Sequence, residues 1–244
     1  MDVSKNTVRA VERALDILLC FTDDSDLSLT EIAARVDLHK STVHRLLASL
    51  EVKGFVLRHQ ETERYRLGFR VWELAANLTQ GDDPAGMFLP EMERLRNSVG
   101  ETVSLYVRDG MERVRVQAVQ SNQEIRRVAT IGARMPLHVG ASSKVLVAFD
   151  EPHVKQELLA SDQPFDHALY DQQLGETRLL GYATSMEERE VGAAAVAAPI
   201  LNRANKLVAV LAISGPLNRL TMEKMKQLVP QLTEFANRMG KMSR

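Results

Sequence analysis

Residues 29–50 repeat one apolar spacing twice, and no other feature constrains the fold of this chain as tightly. Apolar residues recur at i, i+3, i+4 and i+7, first as Leu29, Ile32, Ala33 and Val36, then as Val43, Leu46, Leu47 and Leu50. This spacing gives one apolar face to each of two short helices. Only residues 37–39 separate them, so the sequence predicts a helix-turn-helix. Asp37 stands where the turn favours a left-handed backbone.

Polar side chains lie between the apolar residues of the second of these helices. All of them are able to donate hydrogen bonds to phosphates or base edges, and they are Lys40, Ser41, Thr42, His44 and Arg45. Such a set at the start of a helix is typical of recognition in the DNA major groove. We expect Ser41, Thr42, His44 and Arg45 to contact bases and Lys40 to hold a phosphate.

A β-hairpin is predicted directly after this helix. Gly54 ends the helix, and the alternating segments 55–58 and 64–67 flank the polar connection 59–63. The combination is a winged helix-turn-helix. Arginines at the ends of a hairpin often mark no more than a solvent-exposed edge. Here the hairpin follows a recognition helix, so we expect Arg58 and Arg64 to contact phosphates.

The distribution of charge agrees with a DNA-facing region at the N-terminal end. The whole chain of 244 residues has a formal net charge of -1, yet residues 39–70 hold seven Lys or Arg against three Asp or Glu. A local basic face on a neutral protein suits a regulator that binds and releases DNA. The lone Cys20 excludes an internal disulfide and fits a reducing cytoplasm. No apolar run approaches the roughly 20 residues that span a membrane, so we expect a soluble cytoplasmic protein.

The patterning predicts an α+β chain with three parts: a winged helix-turn-helix over 1–69, a linker helix over 70–83 and a second domain over 84–244. In the first helix, Val8, Val11, Leu15 and Leu18 form the expected packing stripe. Trp72 suits either a core or a subunit interface. The second domain is expected to be a mainly antiparallel sheet with flanking helices. Its predicted strands are 103–107, 114–119, 126–130, 182–185, 193–201 and 207–214; its helices after the 132–140 loop are 142–149, 151–160, 168–180 and 221–239.

Several short motifs together resemble the IclR family of bacterial transcription regulators. In the first half they are Arg13–Leu18, Leu29–Ala33, Lys40–Leu47 and Tyr65–Gly68. In the second half they are Gly100–Val103, Gly132–His138, Gly181–Ala183, Ala197–Ile200 and Ile213–Pro216. The resemblance spans about residues 8–240. It implies a C-terminal GAF-like α/β effector-binding domain and homodimers or homotetramers. Because one winged helix covers too few base pairs to select a site in a genome, we expect two to act together on a roughly palindromic double-stranded DNA operator. A repressor is the first expectation, and an activator of the same family is the alternative.

The resemblance also implies where a small-molecule effector binds. A carboxylate is expected on the backbone amides of Ala141 and Ser142, at the start of a helix. Where carboxylate-binding relatives have Asp, Cys, Ser and Ser, this chain has Ser185, Ala195, Ala212 and Ser214. A very small polar acid would lose hydrogen-bond partners there. We therefore expect a carboxylate with an apolar or aromatic part.

An enzyme and a DNA-architectural protein are the competing classes. The six histidines show no metal-like spacing with carboxylates, and they are His39, His44, His59, His138, His153 and His167. The residues before Lys144 lack a phosphate-loop pattern. An architectural protein would leave two-thirds of the chain without a role. We expect no catalytic residues, no metal site and no cofactor.

Overall fold

In the computed structural model, residues 7–22, 24–78, 84–126 and 129–243 are described. The chain divides into two compact units, residues 1–81 and 82–244. Residues 79–83 of the predicted linker helix lie outside the described residues. The elements of the first unit are α1 (Arg9–Leu19), α2 (Leu29–Arg35), α3 (Lys40–Val52), β1 (Val56–Arg58), β2 (Tyr65–Leu67) and α4 (Phe69–Leu78).

The predicted helix-turn-helix is confirmed in α2 and α3. Ile32, Val43 and Leu47 are fully buried in one small core. A capping box begins α2, because Ser28 Oγ accepts from Glu31 N and Glu31 Oε2 accepts from Ser28 N at 2.7 Å. Asp37 adopts the left-handed backbone that its place in the turn predicts, with φ at 48°.

The predicted hairpin is also confirmed, and its base is pressed against the end of α3. Val56 pairs with Leu67 in an antiparallel register. A Cβ added to Gly68 would lie 2.1 Å from the carbonyl oxygen of Gly54, so only glycine fits there. Arg70 N also donates to that oxygen at 3.2 Å. The wing, the start of α4 and the end of α3 are therefore joined through their backbones.

Large apolar side chains of α1 and α4 face away from this small core. Val8, Val11 and Leu15 are more than half exposed, whereas Ile17 is the fully buried residue of α1. The expected packing stripe is therefore wrong for Val8, Val11 and Leu15 as part of a single-chain core, whereas Leu18 is partly buried against that core. Trp72 is 63% exposed, and its ring stacks on Phe69 at a centroid distance of 5.1 Å. Of the two interpretations of Trp72, the core within this unit is excluded.

The second unit is a six-stranded, wholly antiparallel sheet with helices on both faces. The strand order is β5-β4-β3-β8-β7-β6. The strands are β3 (Thr102–Asp109), β4 (Glu112–Val119), β5 (Arg134–Pro136), β6 (Ala183–Met186), β7 (Ala193–Leu201) and β8 (Leu207–Pro216). The helices are α5 (Pro84–Val99), α6 (Ala141–Phe149), α7 (Pro152–Leu159), α8 (His167–Leu180) and α9 (Met222–Met242).

The two faces of the sheet bury separate cores. Helices α5 and α9 cover one face, where Met92, Leu211 and Leu232 meet. Helices α6, α7 and α8 cover the other, where Tyr106 and Val145 are buried. Alternate residues of each central strand therefore point into different cores, which fixes the register of the sheet.

One predicted strand is misplaced. Arg126, Ala129 and Thr130 are not in a strand, and residues 127–128 lie outside the described residues. The strand of this region is β5, which falls inside the predicted 132–140 loop and pairs with β4 through Pro136 and Glu112. Three residues at a sheet edge are too short for an alternating pattern.

Over the described ranges, no helix is both long enough and apolar enough to cross a membrane.

Candidate functional site

The polar face of α3 is exposed at its N-terminal end. Ser41, His44 and Arg45 are exposed, Lys40 is exposed at the first position, and Thr42 is half-buried. Within the described ranges, the side chains of Lys40 and Arg45 form no ion pair. This face therefore presents hydrogen-bond donors and positive charge to solvent, on a helix whose opposite side is anchored in the core.

The wing arginines differ in what they contact. Arg58 Nη2 lies 2.7 Å from Glu63 Oε1, within the hairpin. Arg64 pairs with Asp26 and with Glu31 Oε2 at 3.0 Å, and the Asp26 carboxylate raises the pKa of the Arg64 guanidinium. Arg66 is exposed and has no ion pair among the residues that the structure describes. The alternation about buried Tyr65 indicates that Arg64 and Arg66 both point outward.

In the second unit, the predicted ligand residues come together in one cleft, the α6 cleft. Ser185 of β6 pairs with Ala195 of β7, which pairs with Ser214 of β8, so the three form a row across the sheet. Ala212 lies two residues along β8, on the same face. The start of α6 lies above this floor. The predicted residues that line the cleft are Ala141, Ser142, Ser185, Ala195, Ala212 and Ser214.

The first turn of α6 supplies backbone donors to the cleft. Its first intrahelical hydrogen bond runs from Lys144 N to Gly140 O, at 3.2 Å. The amides that precede Lys144 in the helix therefore have no acceptor within it, and the helix dipole is positive at this end. Ser214 Oγ on the floor is buried and forms no hydrogen bond with any residue in the described part of the chain.

A buried arginine, Arg113 of β4, also lines the cleft, although the sequence patterns did not predict it there. Arg113 is 4% exposed, and its Nη1 donates to Ser142 Oγ at 2.8 Å. Its Nε is buried without an acceptor. Burial lowers the pKa of the Arg113 guanidinium to about 10, and the nearby charge of Arg189 acts in the same direction. Gly140 touches this group: a Cβ there would lie 2.9 Å from Arg113 Nη1.

A second buried arginine holds the tyrosine on which Arg113 rests. Arg115, 3% exposed, donates through Nε and Nη2 to Tyr106 Oη at 3.1 and 2.8 Å. The guanidinium carbon of Arg113 lies 5.4 Å from the centre of the Tyr106 ring. Burial raises the pKa of Tyr106, but the charges of Arg115 and Arg113 outweigh it, so the pKa is lowered. Among the described residues, no carboxylate pairs with either arginine.

The nearest acidic side chain at the start of α6 is already engaged. Glu188, on the connection between β6 and β7, accepts from Lys144 Nζ at 2.5 Å and from Gly140 N at 2.9 Å. Lys144 also donates to the carbonyl oxygen of Thr184 at 3.2 Å. Lys144 is thus a structural partner of Glu188.

A signal for the missed arginines is present in the sequence. Arg113 and Arg115 occupy alternate positions of a strand, with Val114 between them and Val116 after them. A sheet covered by helices on both faces buries the alternate residues of a strand whichever face they point to, so arginines there need a buried partner or ligand. A predicted strand by itself does not show which of its faces is covered, so its arginines are assigned to the solvent-exposed face.

Comparisons with known proteins agree with this architecture. The IclR helix-turn-helix domain model matches residues 10–60, and the bacterial transcriptional regulator IclR C-terminal model matches residues 80–241. The probable transcriptional regulator SauR of Cupriavidus necator is 31% identical over 248 residues, which cover 98% of each chain. The HTH-type transcriptional repressor AllR of Escherichia coli is 30% identical, over 91% of this chain and 85% of its own.

A solved structure shares the fold over nearly the whole length. It is an IclR homologue from Microbacterium hydrocarbonoxydans, complexed with 4-hydroxybenzoate, with a TM-score of 0.83 and 24% identity. The alignment covers 95% of this chain and 98% of that chain. The family models, the relatives and the winged helix-turn-helix agree: this chain belongs to the IclR family and is a DNA-binding transcriptional regulator.

Proposed function

We propose that the protein is a repressor whose hold on its operator is controlled by a small organic acid bound in the α6 cleft. The observation that carries the proposal is the convergence of Ala141, Ser142, Ser185 and Ser214 on one cleft. Free amides at the start of α6 favour an anion. The exposed donors of α3 supply the DNA-binding surface to which the cleft responds.

The DNA contacts follow from the exposure of α3 and the wing. We assign Ser41, Thr42, His44 and Arg45 to base edges, and Lys40, Arg58 and Arg66 to phosphates. From the place of Arg64 in the hairpin, the sequence predicts a phosphate contact for Arg64 too. Because Asp26 and Glu31 already pair with Arg64, we assign this residue instead to holding the wing in place.

The exposed apolar residues of α1 and α4 support a dimer. Leu15 and Trp72 are 54% and 63% exposed, and large exposed apolar side chains of this kind commonly mark subunit contacts. A two-fold dimer matches a roughly palindromic operator, since one winged helix reads too few base pairs to select a single site. A tetramer would be two such dimers. We place the protein in the cytoplasm, with the DNA.

The floor of the cleft supports an acid with an apolar part. Ala195 and Ala212 offer no hydrogen bond there, and an apolar surface gains roughly 25 cal/mol per Å² when it is buried. The 4-hydroxybenzoate bound by the Microbacterium homologue is an acid of this class. The relative AllR is a transcriptional repressor, which supports repression rather than activation. The relatives are regulators, which supports a protein without catalytic activity.

Selection of a DNA site tests the proposal. The full-length protein is used to enrich sites from a pool of random duplexes, and the enriched site is then titrated in a gel shift with and without 4-hydroxybenzoate, benzoate and hexanoate. We expect a palindromic site that binds two chains, with an affinity that one of these acids changes. In transcription from a promoter that carries the site, a repressor lowers transcript yield. An asymmetric site bound by one chain, or an affinity that no acid alters, contradicts the proposal.

A further inference from the structure

We propose that Arg113 selects the charge of the effector by forming a two-bond pair with its carboxylate, so that acids are accepted and neutral analogues are rejected. This inference rests on the proposed effector role of the α6 cleft. The ligand class is a monocarboxylate whose apolar body lies over Ala195 and Ala212.

The first step of the argument is charge. Arg113 and Arg115 are both buried in one small region, and within the described ranges neither of them forms an ion pair with a carboxylate. A buried charge without a counterion is strongly unfavourable in a protein interior. Arg115 has Tyr106 Oη and the Thr130 carbonyl as acceptors. Among the described residues, Arg113 has only Ser142 Oγ as an acceptor, so Arg113 is the cation that lacks compensation.

The second step is geometry. Nη1 of Arg113 donates to Ser142 Oγ, which leaves the Nε edge of the guanidinium without an acceptor. That edge, formed by Nε and Nη2, has the spacing of the two oxygens of a carboxylate. Arg113 and the α6 start line the same cleft. One anion bound there would be stabilised by the guanidinium and by the helix amides together.

The third step is that the guanidinium is held before any ligand arrives. Tyr106 lies under Arg113 at 5.4 Å, and Arg115 fixes the hydroxyl of that ring. Gly140 lies in close contact with the same guanidinium. A rigid donor loses little conformational freedom when it binds a carboxylate. Glu188 does not compete for Arg113, because its oxygens are bound by Lys144 Nζ and Gly140 N.

Matched acids and amides test the inference on the full-length protein. Benzoate, 4-hydroxybenzoate and hexanoate are compared with benzamide, 4-hydroxybenzamide and hexanamide by calorimetry and thermal unfolding at constant ionic strength. We expect at least one acid to bind, and its amide to bind about 10- to 100-fold more weakly, the range for losing a hydrogen bond to a charged group. Arg113→Gln is expected to weaken the acid by a similar factor, and Arg113→Lys to weaken it less.

Controls separate binding from folding. Arg108→Gln removes a half-buried arginine of β3 that pairs with Asp150 outside the cleft, and the acid is expected to bind as it does to the wild type. Arg113→Met without ligand is expected to unfold at the wild-type temperature or above it, since it removes an uncompensated buried charge.

Three outcomes overturn the inference: no acid binds the wild type at 10 mM, an amide binds as tightly as its acid, or Arg113→Gln binds the acid with wild-type affinity. The gel shift distinguishes these from failure of the proposed function. If an acid changes operator binding equally in the wild type and in Arg113→Gln, the regulatory proposal stands and only the role of Arg113 falls.

Discussion

Arg64 Nη2 and Glu31 Oε2 lie 3.0 Å apart, and the same carboxylate oxygen accepts the hydrogen bond from Ser28 N that caps α2. One carboxylate oxygen thus both caps the start of α2 and binds an arginine at the base of the wing. Asp26 binds Arg64 beside it. The position of the wing is therefore coupled to the capping of α2, although the two are more than 30 residues apart in the chain.

Two wing arginines should differ in the salt dependence of operator binding. Arg66→Gln removes a phosphate contact, so the slope of log K against log salt should fall by about one. Arg64→Gln disturbs the wing through Asp26 and Glu31, so affinity should fall with a smaller change of slope. Fluorescence anisotropy between 50 and 200 mM salt measures both. Equal slopes for Arg66→Gln and the wild type would show that Arg66 does not contact a phosphate.

Arg45 should contribute to base recognition. Arg45→Ala is expected to weaken operator binding by about 1–3 kcal/mol if the guanidinium makes a two-bond contact with a base. Lys53→Ala, at the far end of the same helix, is the matched loss of a positive charge and should change affinity much less. A gel shift on the selected site measures both. Wild-type affinity in Arg45→Ala would rule out that contact.

Gly140 should not tolerate a side chain, whereas Gly175 should. Gly140 has φ at 93° and Arg113 Nη1 at 2.9 Å from an added Cβ. Gly140→Ala is therefore expected to lower the free energy of unfolding by at least about 1 kcal/mol. Gly175 lies inside α8 with no atom within 4 Å of an added Cβ, so Gly175→Ala should raise stability by up to about 1 kcal/mol. Urea unfolding measures both, and equal effects would contradict the close approach at Gly140.

His138 should make the second unit sensitive to acid. Burial, and then the charge of Arg113, lower the pKa of His138 below its ordinary 6.5. The unfolded chain therefore binds more protons than the folded chain just below pH 6.5, so stability falls as the pH falls through that range. His138→Gln should flatten this limb of the stability curve. His153→Gln, on an exposed side chain of α7, serves as the control. An unchanged curve for His138→Gln would refute the assignment.

Leu15 should lie in the dimer interface. Leu15→Glu places a charge among the exposed apolar side chains of α1, so the variant should sediment as a monomer at micromolar concentration. Val52→Glu makes the same change at an exposed position at the end of α3 and should leave the mass unchanged. If Leu15→Glu sediments with the wild-type mass, α1 does not form the contact.

The sequence predicts the elements of this fold best where periodicity and end signals coincide. Ser28, Asp37 and Gly54 mark helix ends and the turn through local backbone chemistry, which needs no tertiary context. The short edge strand β5 carries no such signal. Its three residues pair with β4 because of sheet geometry, and the sequence alone suggests a loop.

The candidate site divides in a similar way. Ser185, Ala195 and Ser214 come from three strands, and their order in the family motifs was enough to predict that they meet. Arg113 lies outside the family motifs, and its alternation with Arg115 does not show burial until helices are known to cover both faces of the sheet. The outward direction of Leu15 is also not predictable, since an apolar face predicts burial without saying whether it is buried by the same chain.

The contact between Gly68 and Gly54 has a mechanical consequence. The backbone of Gly68 lies directly against the backbone of Gly54, with no side chain between them. We therefore expect the first turn of α4, the base of the hairpin and the end of α3 to move together as one rigid body. We expect any side chain at position 68 to separate the start of α4 from the base of the hairpin and from the end of α3.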